Sequence, residues 1–237
     1  MKQPEYTPDI RLLQALTEQI KLPLLQIAQR AELARLDGQP LDHLDSIGLT
    51  ASGALKLLDN YLLSIRLGTA LSDLELEPVS LAAVLNETAH ELSKVAKQHQ
   101  CDLELHLSGK YEPVLANREG LAAALTSLGL VFIEAQSGGA HEHRPVVKLA
   151  AHRGKRGIVA GTFADTEGLS KAMYQRARGI YGQAHQPLTG LTAASGAGVF
   201  VAESILSSMS THLQVARHQK LSGLAATFLP SRQLELV

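Results

Sequence analysis

The sequence predicts an α+β protein in which an N-terminal antiparallel helical hairpin precedes a two-layer α/β domain. Apolar residues recur every three or four positions over residues 8–36 and again over 41–67, which is the period of amphipathic helices. Gly38 and Pro40 interrupt this pattern, as expected at the turn of a hairpin. Beyond residue 78 the period changes, and short alternating segments typical of strands are interspersed with further helices.

Both helices of the predicted hairpin carry a long apolar stripe. The stripes consist of Leu12, Leu16, Ile20, Leu24, Ile27, Ala31 and Ala34 in the first helix and Leu44, Ile47, Ala51, Ala54, Leu58, Leu62 and Ile65 in the second. Two antiparallel helices cannot enclose a core, whereas two chains can bury all four stripes in a four-helix bundle. The sequence therefore predicts a homodimer through residues 8–68. The alternative is that the hairpin packs on the C-terminal part of its own chain.

The rest of the chain alternates between helices and strands, so helices are expected to cover one face of a mixed sheet. We predict helices at 81–98, 119–136 and 195–209, the first two capped by Ser80 and Asn117. The predicted strands are 74–76 in the linker, 101–107, 114–116, 146–151, 157–163, 212–216 and 224–229. Residues 169–181 are expected to be helical or irregular. The predicted domains are 1–70, the hairpin, and 71–237, the α/β domain.

Composition and charge exclude several classes of function. The 237 residues carry a formal net charge of -1, which gives no basic surface for nucleic acid, and the basic segment 152–156 is expected to be a hairpin turn. The single cysteine, Cys101, excludes an internal disulfide framework. His141 and His143 lie in a Gly-containing segment typical of a solvated turn, so no metal site is predicted. Without a signal-peptide segment or ~20 consecutive apolar residues, we expect a cytoplasmic protein with no membrane span.

Residues 17–24, Thr-Glu-Gln-Ile-Lys-Leu-Pro-Leu, resemble the phosphoacceptor motif of bacterial sensor histidine kinases, Ser-His-Glu-(Leu/Ile)-(Arg/Lys)-Thr-Pro-Leu. A proline inside a helix costs about 3 kcal/mol, and the resemblance accounts for Pro23 because the family carries the same kink. Glu18 occupies the phosphoacceptor position and has no imidazole nitrogen to accept a phosphoryl group. It is either a solvent-facing helix residue or a mimic of the phosphorylated state, and the sequence leaves both readings open.

The C-terminal part resembles the ATP-binding domain that histidine kinases share with gyrase-type ATPases. Its predicted helix at 121–135 aligns with the N-box, Asn-x-x-x-Asn-Ala-x-Lys, and has Ser127, Val131, Phe132 and Glu134 at the motif positions. The second Asn of the family holds Mg²⁺, and Val131 offers no oxygen ligand. Glu134 replaces the Lys that balances phosphate charge and would repel phosphate. The resemblance therefore implies that Mg²⁺ is not bound and that little or no kinase activity remains.

Two further segments resemble the glycine-containing boxes of the family. Residues 164–169 occupy the place of the G1 box, Asp-x-Gly-x-Gly, with Gly168 retained and Asp165 able to read adenine after a one-residue shift. Residues 194–201 resemble the G2 box, in which Gly196 and Gly198 open a helix whose free N–H groups could cradle a phosphate. Close packing of helix on sheet explains these glycines equally well. ATP is therefore kept as a candidate ligand of these four residues.

The order and spacing of these segments imply a degenerate histidine kinase core over residues 7–230. Such a core would be a pseudokinase scaffold that binds a response-regulator receiver domain or a partner histidine kinase near Gln19, Lys21, Gln26 and Arg30. One alternative is an enzyme that still binds ATP and transfers phosphate. Another is a phosphotransferase built on a kinase-like dimer, which needs a histidine in the first helix; residues 8–36 contain none, and only His43 lies nearby. No catalytic residue is assigned.

Overall fold

The computed structural model describes residues 20, 23–34, 40–68, 75–136, 143–165, 169, 171–172, 174–175 and 196–231. Helix α1 covers residues 23–34 and helix α2 covers Pro40–Gly68, in agreement with the predicted hairpin. Arg30 Nη1 donates to Thr50 Oγ1 at 3.2 Å and thereby connects the two helices. Glu18, Gly168, His141 and the predicted turn at 37–39 lie outside the described residues.

The helices and strands that follow have the predicted order. They are β1 (Glu77–Val79), α3 (Leu81–Gln98), β2 (Asp102–Leu107), β3 (Val114–Ala116), α4 (Arg118–Gln136), β4 (Val146–Gly154), β5 (Gly157–Ala164), α5 (Gly196–Ser208), β6 (Gln214–His218) and β7 (Leu221–Phe228). The α+β class is therefore confirmed. The caps are confirmed as well, since Ser80 Oγ accepts from the N–H of Ala83 and Asn117 Oδ1 accepts from the N–H of Gly120. A turn between β4 and β5 is confirmed, but it consists only of Lys155 and Arg156, because residues 152–154 of the basic segment extend strand β4.

The position of the first strand was predicted wrongly. The strand lies at Glu77–Val79 and pairs antiparallel with β3, so that Val79 is opposite Val114. Residues 75 and 76 are not part of it, and Leu74 lies outside the described residues. Both valines are buried, whereas Leu76 is exposed. The strand therefore forms where its apolar residue can enter the core, and this depends on β3, which lies more than 30 residues further along the chain.

The last two strands are longer towards their connection than the prediction of 212–216 and 224–229. They run over Gln214–His218 and Leu221–Phe228 and meet at a two-residue turn, in which Gln219 has a φ of 56°. The polar residues Arg217 and His218 obscured the end of β6 in the sequence, because His218 is buried on the face away from the helices and Arg217 is exposed.

The main sheet has five strands in the order β2-β4-β5-β7-β6, with β2 and β4 parallel and the other neighbours antiparallel. One row of paired residues across the sheet consists of Leu105, Leu149, Thr162, Leu224 and Val215. The apolar members of this row belong to the main core, which the helices also line. Helices α3, α4 and α5 therefore cover one face of the sheet and define a two-layer sandwich.

Helix α4 is the central element of the helical layer. It contacts α3 on one side, α5 on the other and strands β4 and β5 beneath it, and α2 packs on it as well. Helix α4 is accordingly apolar over most of its circumference, and Phe132, Leu128 and Ile133 are among the largest fully buried side chains of the described chain. The N-box positions thus lie on the most enclosed helix of the fold.

Helix α2 has two different environments. Near its C-terminal end, Leu57 and Tyr61 are buried and belong to the same core as the α/β domain, and α2 contacts α4 and α5. Elsewhere the hairpin exposes large apolar side chains, which are Leu24, Leu25, Leu33, Leu44, Leu55 and Leu62, with exposed fractions of 47–60%. The division at residue 70 and the dimeric bundle both stay predictions. Of the helices in the described ranges, none has the length and apolar character to cross a bilayer.

Candidate functional site

The N-box positions of α4 are buried against the glycine-rich start of α5. Ser127 and Val131 lie one helical turn apart on the same face of α4, and each is 1% exposed. A Cβ placed on Gly198 would lie 2.6 Å from Val131 Cγ2 and 3.4 Å from the main-chain oxygen of Ser127. The two helices are therefore in direct contact where the resemblance places the Mg²⁺-binding side chain.

This contact gives both partners a structural role. The valine contributes only methyl groups, which cannot replace the oxygen ligands of Mg²⁺, so the residues present do not fit that ion. Gly198 is required because any side chain would collide with Val131, which is the packing explanation of the G2 glycine. Within the described ranges, no group of three or more His, Cys, Asp or Glu side chains is arranged to hold a metal ion.

A buried hydrogen bond connects α2 to the same face of α4. Asn60 is 3% exposed, and its Nδ2 donates to Ser127 Oγ at 2.8 Å and to the main-chain oxygen of Ala123 at 3.3 Å. The Ser127 hydroxyl is thus engaged by the hairpin. Sequence reasoning missed Asn60, although an amide in the apolar part of a helix is a signal, because buried polar groups need partners.

The end of β5 corresponds to the predicted G1 segment. Thr162 and Ala164 are buried on the face of β5 that looks towards the helices, whereas Asp165, the residue after the strand, is exposed. Gln136, at the end of α4, donates through Nε2 to the main-chain oxygen of Asp165 at 3.3 Å. Ala164, which the resemblance aligns with the motif's Asp, is thus buried, and the role of the Asp165 carboxylate stays a prediction.

One buried polar atom near this strand end has no counterpart in the prediction. Thr162 is fully buried, and its Oγ1 has no hydrogen-bond partner among the described residues. A buried hydroxyl without a partner costs about 1–3 kcal/mol. A water molecule or a polar ligand atom that reached it would remove this cost, so Thr162 Oγ1 is the observation that favours a residual ligand site.

Tyr174, which follows the G1 position, is attached to α5 by a buried carboxylate. Glu203 of α5 accepts through Oε2 from the N–H of Leu213 at 2.7 Å and from Tyr174 Oη at 3.4 Å. The tyrosine is buried and belongs to the main core. The region between the two glycine boxes therefore contacts α5 through Tyr174, whereas residues 176–195 lie outside the described chain.

Comparisons with known proteins identify the fold. No protein-family model matches the chain, and no curated protein is significantly similar in sequence. Among solved structures, full-length ShkA in complex with AMPPNP matches with a TM-score of 0.57 and 17% identity over 95% of this chain. The chain spans about half of that structure, 47%. The Acinetobacter baumannii histidine kinase AdeS matches with a TM-score of 0.53 and 16% identity, covering 90% of this chain and 97% of AdeS.

A third match is histidine kinase ThkA in complex with the response regulator TrrA. Its TM-score is 0.56 at 12% identity, over 90% of this chain and 59% of that one. Identities this low establish a shared fold only. The chain therefore has a histidine kinase-like fold, with an N-terminal hairpin and an α/β domain of the ATP-binding type, as the sequence predicted.

Proposed function

We propose that this chain is a two-component signalling protein that serves as a dimeric, non-catalytic scaffold for a response-regulator receiver domain or a partner histidine kinase. The observation that carries the proposal is Val131, which is buried against Gly198 where a kinase of this fold needs an oxygen ligand for Mg²⁺. Glu18 at the phosphoacceptor position supports it from the sequence. A scaffold keeps the fold and the docking surfaces and needs neither group.

The exposed apolar residues of the hairpin support the homodimer. Leu24, Leu44 and Leu62 belong to the predicted stripes, and more than half of each side chain's surface is exposed in a single chain. Three such side chains represent several kcal/mol of burial in a bundle, at about 1.5–3 kcal/mol for each fully buried leucine. A four-helix bundle formed by two chains would bury them.

The partner class is supported by the ThkA–TrrA complex, in which a protein of the same fold is bound to a response regulator. We propose helix α1 as the docking surface, with Gln26 exposed and Arg30 half-buried on the described part of the helix. Gln19 and Lys21 belong to the same proposed surface but lie outside the described residues. A receiver-domain partner would place the protein in the cytoplasm.

Receiver-domain binding tests the scaffold. Each receiver domain of the native host is titrated against the full chain and against Gln26→Trp, which adds bulk to the proposed surface. We expect at least one receiver to bind, and the variant to weaken it at least about tenfold, which corresponds to 1.4 kcal/mol. Lys97→Trp, on the exposed side of α3, adds the same bulk elsewhere and should bind normally. If no receiver or kinase of the host binds, the scaffold proposal is wrong.

The second candidate is an enzyme that still binds ATP, and Thr162 is the specific observation in its favour. The hydroxyl lies below the helical layer without a described partner, and the ShkA structure of the same fold contains AMPPNP. In this reading, Asp165, Gly168, Gly196 and Gly198 would hold the nucleotide. Mg²⁺ is not expected, because Val131 cannot bind it.

We expect millimolar Mg-ATP to leave the melting temperature of the chain unchanged. A ligand at a hundred times its dissociation constant would add about 2.7 kcal/mol to the free energy of unfolding. ADP and metal-free ATP are measured alongside, and Thr162→Val, which keeps the shape and removes the hydroxyl, is the matched variant. A rise in melting temperature that Thr162→Val abolishes would support the enzyme and count against the scaffold. Gly198→Val is unsuitable here, because it would also disturb the packing on Val131.

A further inference from the structure

The face of the sheet opposite the helices is partly closed by the tip of the β6–β7 hairpin. His106 on β2 and His218 on β6 belong to the two edge strands, which three other strands separate. Their ring nitrogens, His106 Nδ1 and His218 Nε2, are nevertheless 2.6 Å apart. In the adjoining turn, Gln219 Oε1 accepts from Lys148 Nζ at 3.2 Å. The sheet is therefore curled, and the hairpin tip bends over this face.

Three imidazoles form a continuous chain at this closure. His218 Nδ1 lies 3.3 Å from His152 Nδ1, so the central ring uses one nitrogen for each neighbour. Because the two nitrogens of His218 face different rings, the nitrogens of the three histidines do not point at one common position, as metal ligands must. The Phe163 ring has its centroid 5.2 Å from that of His218. Phe163 and the adjacent Ala150 and Ala225 are fully buried and form a small second apolar cluster.

The contacts between the three imidazole rings depend on how many protons the rings carry. Each nitrogen–nitrogen contact needs one N–H and one lone pair, and a neutral imidazole has one of each. An imidazolium carries two N–H groups and no lone pair, so two adjacent imidazoliums would direct N–H groups at each other. A single imidazolium still meets a lone pair on each neutral neighbour, so it is a second proton, on an adjacent ring, that replaces an attractive contact by a repulsive one.

The charged side chains around the three histidines add to this repulsion. Lys148 on β4 is the nearby cation, and its charge is shared with Glu104 of β2, since Nζ and Oε2 are 2.8 Å apart. The hairpin turn also carries the exposed Lys220, while β5 contributes the uncharged Phe163. The carboxylate of Glu104, which lies on the strand of His106, is thus already paired with a lysine.

The direction of the pH effect follows from two of the rings. Burial lowers the pKa of His218 below its ordinary value of 6.5, and His106, His152 and Lys148 lower it further. Burial, followed by His106, lowers the pKa of His152. Below about pH 6.5 the unfolded or opened form therefore binds more protons than the closed form. The closure is fully stable above that pH and weakens as the pH falls below it.

We propose that His106, His152 and His218 form a pH-sensitive latch, in which proton uptake releases the tip of the β6–β7 hairpin and uncovers the apolar cluster around Phe163. The latch lies on the face away from α4 and α5, so it is independent of the candidate nucleotide residues. Its release converts a closed sheet face into an exposed apolar patch of the kind that binds other proteins.

Hydrogen exchange of the full chain at about pH 7.5 and about pH 5.5 tests the latch, with intrinsic rates corrected for pH. If opening takes up one proton, the opening equilibrium rises by at most about tenfold per pH unit between pH 6.5 and the lowered pKa of the closed form. We expect amides 214–221 to lose protection accordingly at the lower pH. His218→Phe keeps an aromatic ring that cannot be protonated, and its protection should depend on pH clearly less than that of the unmodified chain. His90→Phe, on the exposed side of α3, should behave like the unmodified chain.

The proposal is overturned by unchanged protection of the unmodified chain between the two pH values, or by a full pH response in His218→Phe. His152→Gln is a second variant for the case that His218→Phe does not fold, since His152 is only half-buried. It removes one proton-binding site and should reduce the pH response of residues 214–221, whereas an undiminished response would rule out the latch.

Discussion

Replacing Phe132 by alanine should lower the free energy of unfolding by about 3–5 kcal/mol, the usual cost of removing a buried phenylalanine. Phe132 is fully buried in α4 and is among the largest enclosed side chains of the described chain. Alanine is the residue that the N-box motif carries at this position, so the change moves the chain towards the kinase motif. Urea unfolding at constant slope measures the loss.

Leu130→Ala on the same helix is the control for this experiment. Leu130 is only partly buried, so the smaller truncation at a more exposed site should cost clearly less. A loss at Phe132 of under about 1 kcal/mol would mean that α4 is not packed as described, because enclosed phenylalanines rarely cost so little. The expected result would show that an N-box position here supports the core of the fold.

The sequence predicted those elements that depend on nearby residues. The caps at Ser80 and Asn117 lie within three residues of the N–H groups that they satisfy, so local patterns were enough to place the ends of α3 and α4. The prediction of β4 and β5 depended equally on nearby residues, because the two strands lie on either side of a short basic turn. The position of β1 was missed because it depends on pairing with β3, and no local pattern distinguishes residues 74–76 from 77–79.

The candidate site also contains features that the sequence predicts and contacts that it does not. Val131 and Gly198 could be identified as motif positions, but their mutual contact joins helices that lie far apart in sequence. Asn60 reaches Ser127 across 67 residues, and His106 reaches His218 across 112. The contact between the histidines could not be predicted from the sequence, because it depends on the curvature that brings the two edges of the sheet together.

Gly198→Ala should destabilise the chain by about 1–3 kcal/mol, as expected when a methyl group is added to a closed contact. The new Cβ would lie 2.6 Å from Val131 Cγ2, so the valine side chain or one of the two helices must shift. Helix propensity alone predicts the opposite sign, because alanine is favoured over glycine by about 0.8–1.0 kcal/mol in a helix interior. The sign of the change in unfolding free energy, measured without nucleotide, therefore shows whether Gly198 is needed for helix packing or is explained by phosphate binding.

Two matched variants complete this test of the glycine. Gly48→Ala in α2 has no atom within 4 Å of the added Cβ and should be neutral or stabilising. In a Val131→Ala background the collision is removed, so Gly198→Ala should lose most of its cost, and the two changes should be strongly non-additive. If Gly198→Ala is neutral or stabilising in the otherwise unchanged chain, the glycine is not needed for packing. Phosphate binding would then be its remaining explanation, and the ATP-binding candidate would gain over the scaffold.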